Sequence, residues 1–144
     1  MTYELVNLLN ETIAMELGAS ISYMWQYVML ERTLNPILKD TFRDTSIEKL
    51  KRGMALGERL FFLEGIPTTQ PSPVNIESSL KEMIELDLKA ENDAISKFKE
   101  IIGLATQDKD ADTRLLCEKI LDEEEQLKRV LVCELGRLHI KLVK

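Results

Sequence analysis

The sequence has few of the residues that build transition-metal sites or cysteine–histidine catalytic pairs. Its 144 residues include one histidine, His139, and two cysteines, Cys117 and Cys133. The cysteines lie on one predicted helix, about 24 Å apart along its axis, so they cannot form a disulfide while that helix persists. We expect reduced, structural thiols. Zinc-site spacing, a glycine-rich phosphate loop and a cysteine–histidine nucleophile pair are all missing from the sequence.

Excess positive charge and long apolar runs are also missing. The 19 lysines and arginines are outnumbered by 25 aspartates and glutamates, which gives a net charge of −6. This balance argues against a nucleic-acid partner, which needs a basic surface. No apolar run approaches the ~20 residues of a membrane span. The start, "MTYELVNLL", lacks the basic region of a signal peptide, so we expect a cytoplasmic protein without a membrane partner.

Glycine and proline are scarce, which leaves room for long helices. The four prolines fall between residues 36 and 73. Periodic apolar residues predict helices over residues 3–32, 76–105 and 112–142. A further helix begins at Asn35-Pro36, a cap followed by proline at the first helical position, and ends with Gly65 as its C-terminal cap. The chain, residues 1–144, is predicted to form one domain.

The lengths of the links between these helices predict the topology. Short links give two antiparallel hairpins, whereas residues 65–75 are long enough to run back along the bundle. The prediction is an all-α four-helix bundle of two antiparallel hairpins joined by a long crossover. An all-antiparallel bundle with a floppy loop is the alternative.

Carboxylates interrupt the apolar stripes of three helices. Glu91 lies in a stripe with Ile84, Ile95 and Phe98, and Glu16 and Glu124 interrupt the first and fourth helices in the same way. A buried carboxylate is costly unless it is paired or metal-bound. Three near the middles of three helices therefore predict a shared polar site.

The chain resembles bacterioferritin over residues 3–142. The resemblance rests on "ELGASISY", "SIEKLKR", "GERLFFLEGIP", "DLKAENDAISKFKEIIGLA" and "ILDEEEQLKRVLVCEL". It implies a ferritin-like bundle with a di-iron carboxylate site, built from a Glu on each of two helices and Glu-x-x-His on the other two. On this resemblance Glu16 and Glu91 are ligand positions, and Tyr23 is the tyrosine near the iron.

The same resemblance marks departures from the ligand set. On the second helix the Glu-x-x-His positions are occupied by Lys49 and Arg52, and on the fourth by Glu124 and Leu127. A register one residue earlier gives Glu123 and Gln126, again without histidine. The position of the haem-ligating methionine is occupied by Leu50, so we expect no haem. Iron is expected only on the family resemblance.

Two cations at ligand positions suggest a salt-bridge cluster in place of the metal centre. Lys49 and Arg52 stand three residues apart on one helix face and would neutralise Glu16, Glu91 and Glu124. In the alternative, the second helix is rotated, so that Lys49 and Arg52 are solvated and a second apolar stripe faces the core. On the first interpretation this stripe forms a dimer contact. It consists of Ile47, Leu50, Met54 and Phe61.

Three functions are compatible with these features. The chain could oxidise or store iron as a ferroxidase, as the resemblance implies. It could be a non-enzymatic bundle without a metal site, acting as a partner subunit of a ferritin-like protein. It could hold one ion on Glu16, Glu91 and Glu124. We favour a bacterioferritin-like protein with a degenerate di-iron site. Because the sequence ends with the fourth helix, we expect no fifth helix and favour a homodimer over a 24-subunit cage.

Overall fold

The computed structural model describes residues 3–30 and 35–143, with side chains up to residue 139. It contains helices α1 (Tyr3–Met29), α2 (Pro36–Phe62), α3 (Leu80–Gln107) and α4 (Ala111–Val143), and no strand within those residues. The predicted all-α four-helix bundle is confirmed. The predicted last two residues of α1, 31 and 32, lie outside the described residues.

The two ends of α2 differ in how well they were predicted. Asn35 caps the start as expected, because its side chain accepts a hydrogen bond from the Leu38 amide at 3.0 Å. At the other end the prediction of Gly65 as the cap residue is wrong, since the left-handed residue is Glu64, with φ of 67°. Gly65 is needed for space instead: a Cβ there would lie 2.6 Å from Cδ1 of Leu60.

Helix α3 begins at Leu80, four residues later than predicted, because Ser79 caps it. The Ser79 hydroxyl accepts from the Glu82 amide, as a cap residue does, and donates to the Glu82 carboxylate at 2.8 Å. The connector between the hairpins therefore spans residues 63–79. The predicted polar turn before α4 is confirmed, since Asp110 accepts from the Thr113 amide.

The long crossover is confirmed by the contacts of the connector and of α1. Thr68 donates its amide hydrogen to Asn10, and Ser72 donates to the Ala14 carbonyl, so the connector climbs along α1. It passes close at Gly18, where a Cβ would lie 2.8 Å from the Ser72 carbonyl oxygen. Helix α3 thus starts at the far end of the bundle and runs antiparallel to α1.

The core consists of two apolar clusters with a polar layer between them. One cluster includes Leu9, Leu56 and Phe98, and the other includes Phe42 and Leu131. The side chains of the polar layer come from one level of all four helices: Glu16, Lys49, Glu91 and Glu124. No helix in the described residues is long and apolar enough to cross a bilayer.

Candidate functional site

Lys49 reaches the centre of the bundle, where it meets one carboxylate from each of the other helices. Its Nζ lies 2.5 Å from Glu124 Oε2, 2.8 Å from Glu91 Oε1 and 3.8 Å from Glu16 Oε1. The Lys49 side chain is only 1% exposed. The rotated-helix alternative is therefore wrong for this residue, which lies in the core and not on a solvated face.

Burial and charge act against each other within this cluster. Burial alone would lower the pKa of Lys49, but Glu16, Glu91 and Glu124 outweigh it and raise that pKa, so the ammonium stays charged. Burial also disfavours ionised Glu124, yet Lys49 and hydrogen bonds with Glu91 and Glu16 lower its pKa to about 2. Burial dominates at Glu91, whose pKa rises to about 8, and raises the pKa of Glu16 well above its usual value. Glu124 is thus the carboxylate that balances Lys49 most directly.

Tyr23 extends the cluster towards the second apolar cluster. Its hydroxyl donates to Glu91 Oε1 at 3.2 Å, and its ring packs against Phe42 with 5.8 Å between the ring centroids. Burial and the neighbouring carboxylates raise the pKa of the Tyr23 phenol, so it remains a hydrogen-bond donor. Tyr23 thereby fixes the orientation of the Glu91 side chain.

Asp87 belongs to the same polar layer, although the sequence analysis did not identify it. It is 2% exposed, and its Oδ1 accepts a hydrogen bond from Gln26 Nε2 at 2.7 Å. Burial raises the pKa of Asp87 to about 7, against the opposing effects of Gln26 and Lys49. The available signal was its spacing, since Asp87 precedes Glu91 by four residues and so shares its helix face.

Arg52 lies at the edge of the cluster and pairs with Glu123, the glutamate that would occupy the ligand position if the register of the fourth helix began one residue earlier. Its Nε donates to Glu123 Oε2 at 2.8 Å, and its Nη1 lies 3.7 Å from Glu124 Oε1. The two glutamates therefore have different roles, because Glu124 points inward and Glu123 holds Arg52. Leu127 is half-buried and packs against the second apolar cluster.

The inward carboxylates at the ligand positions are Glu16, Glu91 and Glu124, and their arrangement around Lys49 does not fit a dinuclear centre. The Lys49 ammonium lies within 3.8 Å of an oxygen of each. A metal ion at that point would meet a fixed positive charge in a medium of low dielectric constant. Within the described part of the chain, no group of three or more His, Cys, Asp or Glu side chains could hold a metal ion.

The second apolar stripe of α2 lies on the outside of the bundle. Its members are each about half exposed or more, from 46% for Leu50 to 71% for Phe61. They therefore do not contribute to the core of this chain and are free to contact another molecule. The other two members are Ile47 and Met54.

Comparison with known proteins gives one consistent family. The ferritin-like domain family matches residues 6–137. The chain is 32% identical to the bacterioferritin of Brucella melitensis over 123 residues, which are 85% of this chain and 76% of that protein. It is 28% identical to the bacterioferritin of Mycobacterium leprae, over 85% of this chain and 78% of that one. A solved Rhodobacter capsulatus bacterioferritin, described as having a metal-free dinuclear site and haem iron, superposes with a TM-score of 0.90 at 24% identity, covering 99% of this chain and 89% of that chain.

Proposed function

This chain belongs to the ferritin-like domain family, and on that basis we propose a bacterioferritin-related protein of iron homeostasis in which a salt-bridge cluster replaces the di-iron centre. We expect no bound pair of iron ions and no ferroxidase activity. The protein would then act as a structural or partner subunit and not as an iron-oxidising one.

The position of the Lys49 ammonium is the observation that carries this proposal. Glutamate ligands bind iron as anions, and their mutual repulsion needs a compensating positive charge. Lys49 supplies that charge at 2.5 Å from Glu124 and 2.8 Å from Glu91. The ammonium is part of the Lys49 side chain. A metal ion can therefore take its place only if that side chain moves out of the cluster. This also disfavours a single ion on the three glutamates.

The donor chemistry of the neighbouring positions supports the same proposal. Arg52 and Leu127 occupy the positions at which the bacterioferritin resemblance implies histidine. A guanidinium has no free lone pair and stays protonated, and a leucine has no donor atom, so neither can bind iron. Leu50 likewise has no thioether with which to bind haem. We therefore expect no haem.

The exposed apolar stripe on α2 supports a homodimer or a larger homo-oligomer. Ile47, Leu50, Met54 and Phe61 would form a contiguous patch, and such patches on monomers are usually covered by a partner. A second copy of the chain presents the same stripe, which allows a two-fold contact between equivalent surfaces.

Iron loading under anaerobic conditions tests the proposal. The protein is incubated with ferrous iron, desalted and analysed for metal, and oxygen is then added while ferric absorbance is followed. We expect the iron content to stay well below one ion per subunit and the oxidation rate to match a protein-free control.

A triple variant provides the matched comparison. Lys49→Glu, Arg52→His and Leu127→His together restore the ligand types that the resemblance implies. Wild-type protein that bound two irons per subunit, with an oxidation rate abolished by Glu91→Ala, would overturn the proposal.

A further inference from the structure

A cavity of about 310 Å³ lies beside the Lys49 cluster, between α1, α3 and the connector. Its walls are mainly apolar and include Met15, Ala19 and Leu86, while Pro73 and Val74 of the connector lie over it. Binding sites for small molecules have about this size and usually combine apolar walls with a few convergent polar groups. The volume is large enough for a short aliphatic molecule.

The buried polar side chains that line this cavity are three carboxylates, the Lys49 ammonium and the Tyr23 hydroxyl. Glu16, Asp87 and Glu91 all line it, and each is at most 2% exposed. Asp87 has one carboxylate oxygen, Oδ2, that makes no hydrogen bond, and Oε2 of Glu16 and Oε2 of Glu91 have no partner other than the neighbouring Glu124 carboxylate. A buried acceptor without a partner is costly, so a ligand that donates hydrogen bonds here would be stabilised.

The charge of the surrounding groups favours a cationic donor. Four buried carboxylates, Glu16, Asp87, Glu91 and Glu124, face the lysine of α2. The nearby guanidinium of Arg52 pairs mainly with Glu123, so it contributes little positive charge to the cavity. One further positive charge beside Asp87 and Glu91 would give these carboxylates a second partner of opposite charge.

Two observations favour an organic cation over a metal ion. No group of metal-ligating side chains within the described ranges is arranged to hold an ion. The apolar walls would also contribute nothing to a hydrated metal ion, whereas they would bury an alkyl chain.

We propose that this cavity binds a small aliphatic amine in its ammonium form. The ammonium group donates to the free Oδ2 of Asp87 and to the Glu91 carboxylate beside it, and the alkyl chain packs along Met15, Ala19 and Leu86. The inference rests on the proposed function, because carboxylates that bound iron would not be free for an amine.

The test uses n-butylammonium chloride as the probe and n-butanol as its uncharged counterpart. Calorimetric titrations are run at about pH 8.5, where the amine is still a cation. We expect saturable binding of butylammonium in the millimolar range or tighter, and binding of butanol at least about tenfold weaker. An intermolecular nuclear Overhauser effect from the butyl protons to the Met15 methyl group locates the site in the wild-type protein.

Asp87→Asn replaces the unpaired Oδ2 with an amide while leaving Oδ1 for Gln26, and it should weaken butylammonium binding at least about tenfold. Asp93→Asn is the matched control, since Asp93 is an exposed carboxylate on the same helix and at the rim of the same cavity. It should leave binding within about twofold.

Several results would overturn the inference. They are absence of saturable butylammonium binding, equal affinity for butanol, or equal losses in the two variants. Iron content is measured on the same preparation, so that the two proposals fail separately. Missing amine binding without iron overturns only the cavity assignment, whereas two bound irons per subunit overturn the proposed function.

Discussion

Replacing Lys49 with methionine tests whether the buried ammonium holds the four helices together. Methionine keeps a long, flexible side chain but removes the charge and the three donors. Glu124 and Glu91 would lose a partner at 2.5 and 2.8 Å at a level of the bundle where both side chains are at most 1% exposed. Breaking a buried ion pair from one side costs about 3–5 kcal/mol, a large part of the stability of a domain. We expect a loss of about 4 kcal/mol at pH 8.

The loss should depend on pH in a defined direction. Without Lys49, the pKa values of Glu16, Glu91 and Glu124 rise in the native state, because burial is then no longer offset by the buried ammonium. The native variant would bind more protons than its unfolded chain, so its stability falls as pH rises from about 5 to 8. The difference from wild type should therefore be smaller at pH 5 than at pH 8.

Urea denaturation followed by circular dichroism at pH 5 and pH 8 measures both effects. Lys51→Met is the matched control, because Lys51 is 62% exposed and pairs only at the surface with Glu48. It should change stability by no more than about 0.5 kcal/mol. The reasoning is refuted if Lys49→Met unfolds like wild type at pH 8, or if its loss is the same at both pH values.

Three further predictions follow from the same contacts. Wild-type stability should fall as pH rises from about 5 to 8, because the raised pKa values of Asp87, about 7, and Glu91, about 8, make the native state bind more protons. Asp87→Asn should flatten that slope in urea titrations across pH, and an unchanged slope would contradict the assignment. Arg52→Ala should lower the free energy of unfolding by about 1–3 kcal/mol, less than Lys49→Met does, because Glu123 is 34% exposed and is partly solvated without Arg52. Urea denaturation curves identical to those of the wild type would refute this. Light scattering should show a dimer at micromolar concentration. Leu50→Glu should convert this dimer to a monomer, whereas the control variant Ile76→Glu in the connector should not. A monomeric wild type would contradict the proposed contact.

Most of the fold could be predicted because its signals are local. The Asn35-Pro36 cap set the start of α2, and the spacing of apolar residues set the buried faces. Ser79 was missed as the cap of α3, although the Ser-x-x-Glu pattern with Glu82 was present in the sequence. The left-handed Glu64 could not be predicted in the same way, because glutamate rarely adopts positive φ and the adjacent glycine is the residue type that usually does.

The site was predictable only as far as helix faces determine it. Glu16, Glu91 and Glu124 interrupt apolar stripes, so their meeting followed from periodicity. The inward position of Lys49 was implied by the bacterioferritin resemblance, because the apolar stripe of α2 also allowed a rotated helix. The partner of Arg52 depends on how far a long side chain reaches across to α4, which periodicity does not specify. The cavity depends on the path of the connector over α1 at Gly18, a contact between distant parts of the chain.

The polar layer divides its charges unevenly between the two hairpins. The α1–α2 hairpin brings Glu16 together with Lys49, whereas the α3–α4 hairpin brings Glu91 and Glu124 together, and their lysine comes from α2. In the α3–α4 hairpin alone, the carboxylates of Glu91 and Glu124 therefore repel each other until the α1–α2 hairpin docks and supplies Lys49. Docking of the α1–α2 hairpin brings Lys49 between these carboxylates, so the charge balance of the layer depends on both halves of the chain.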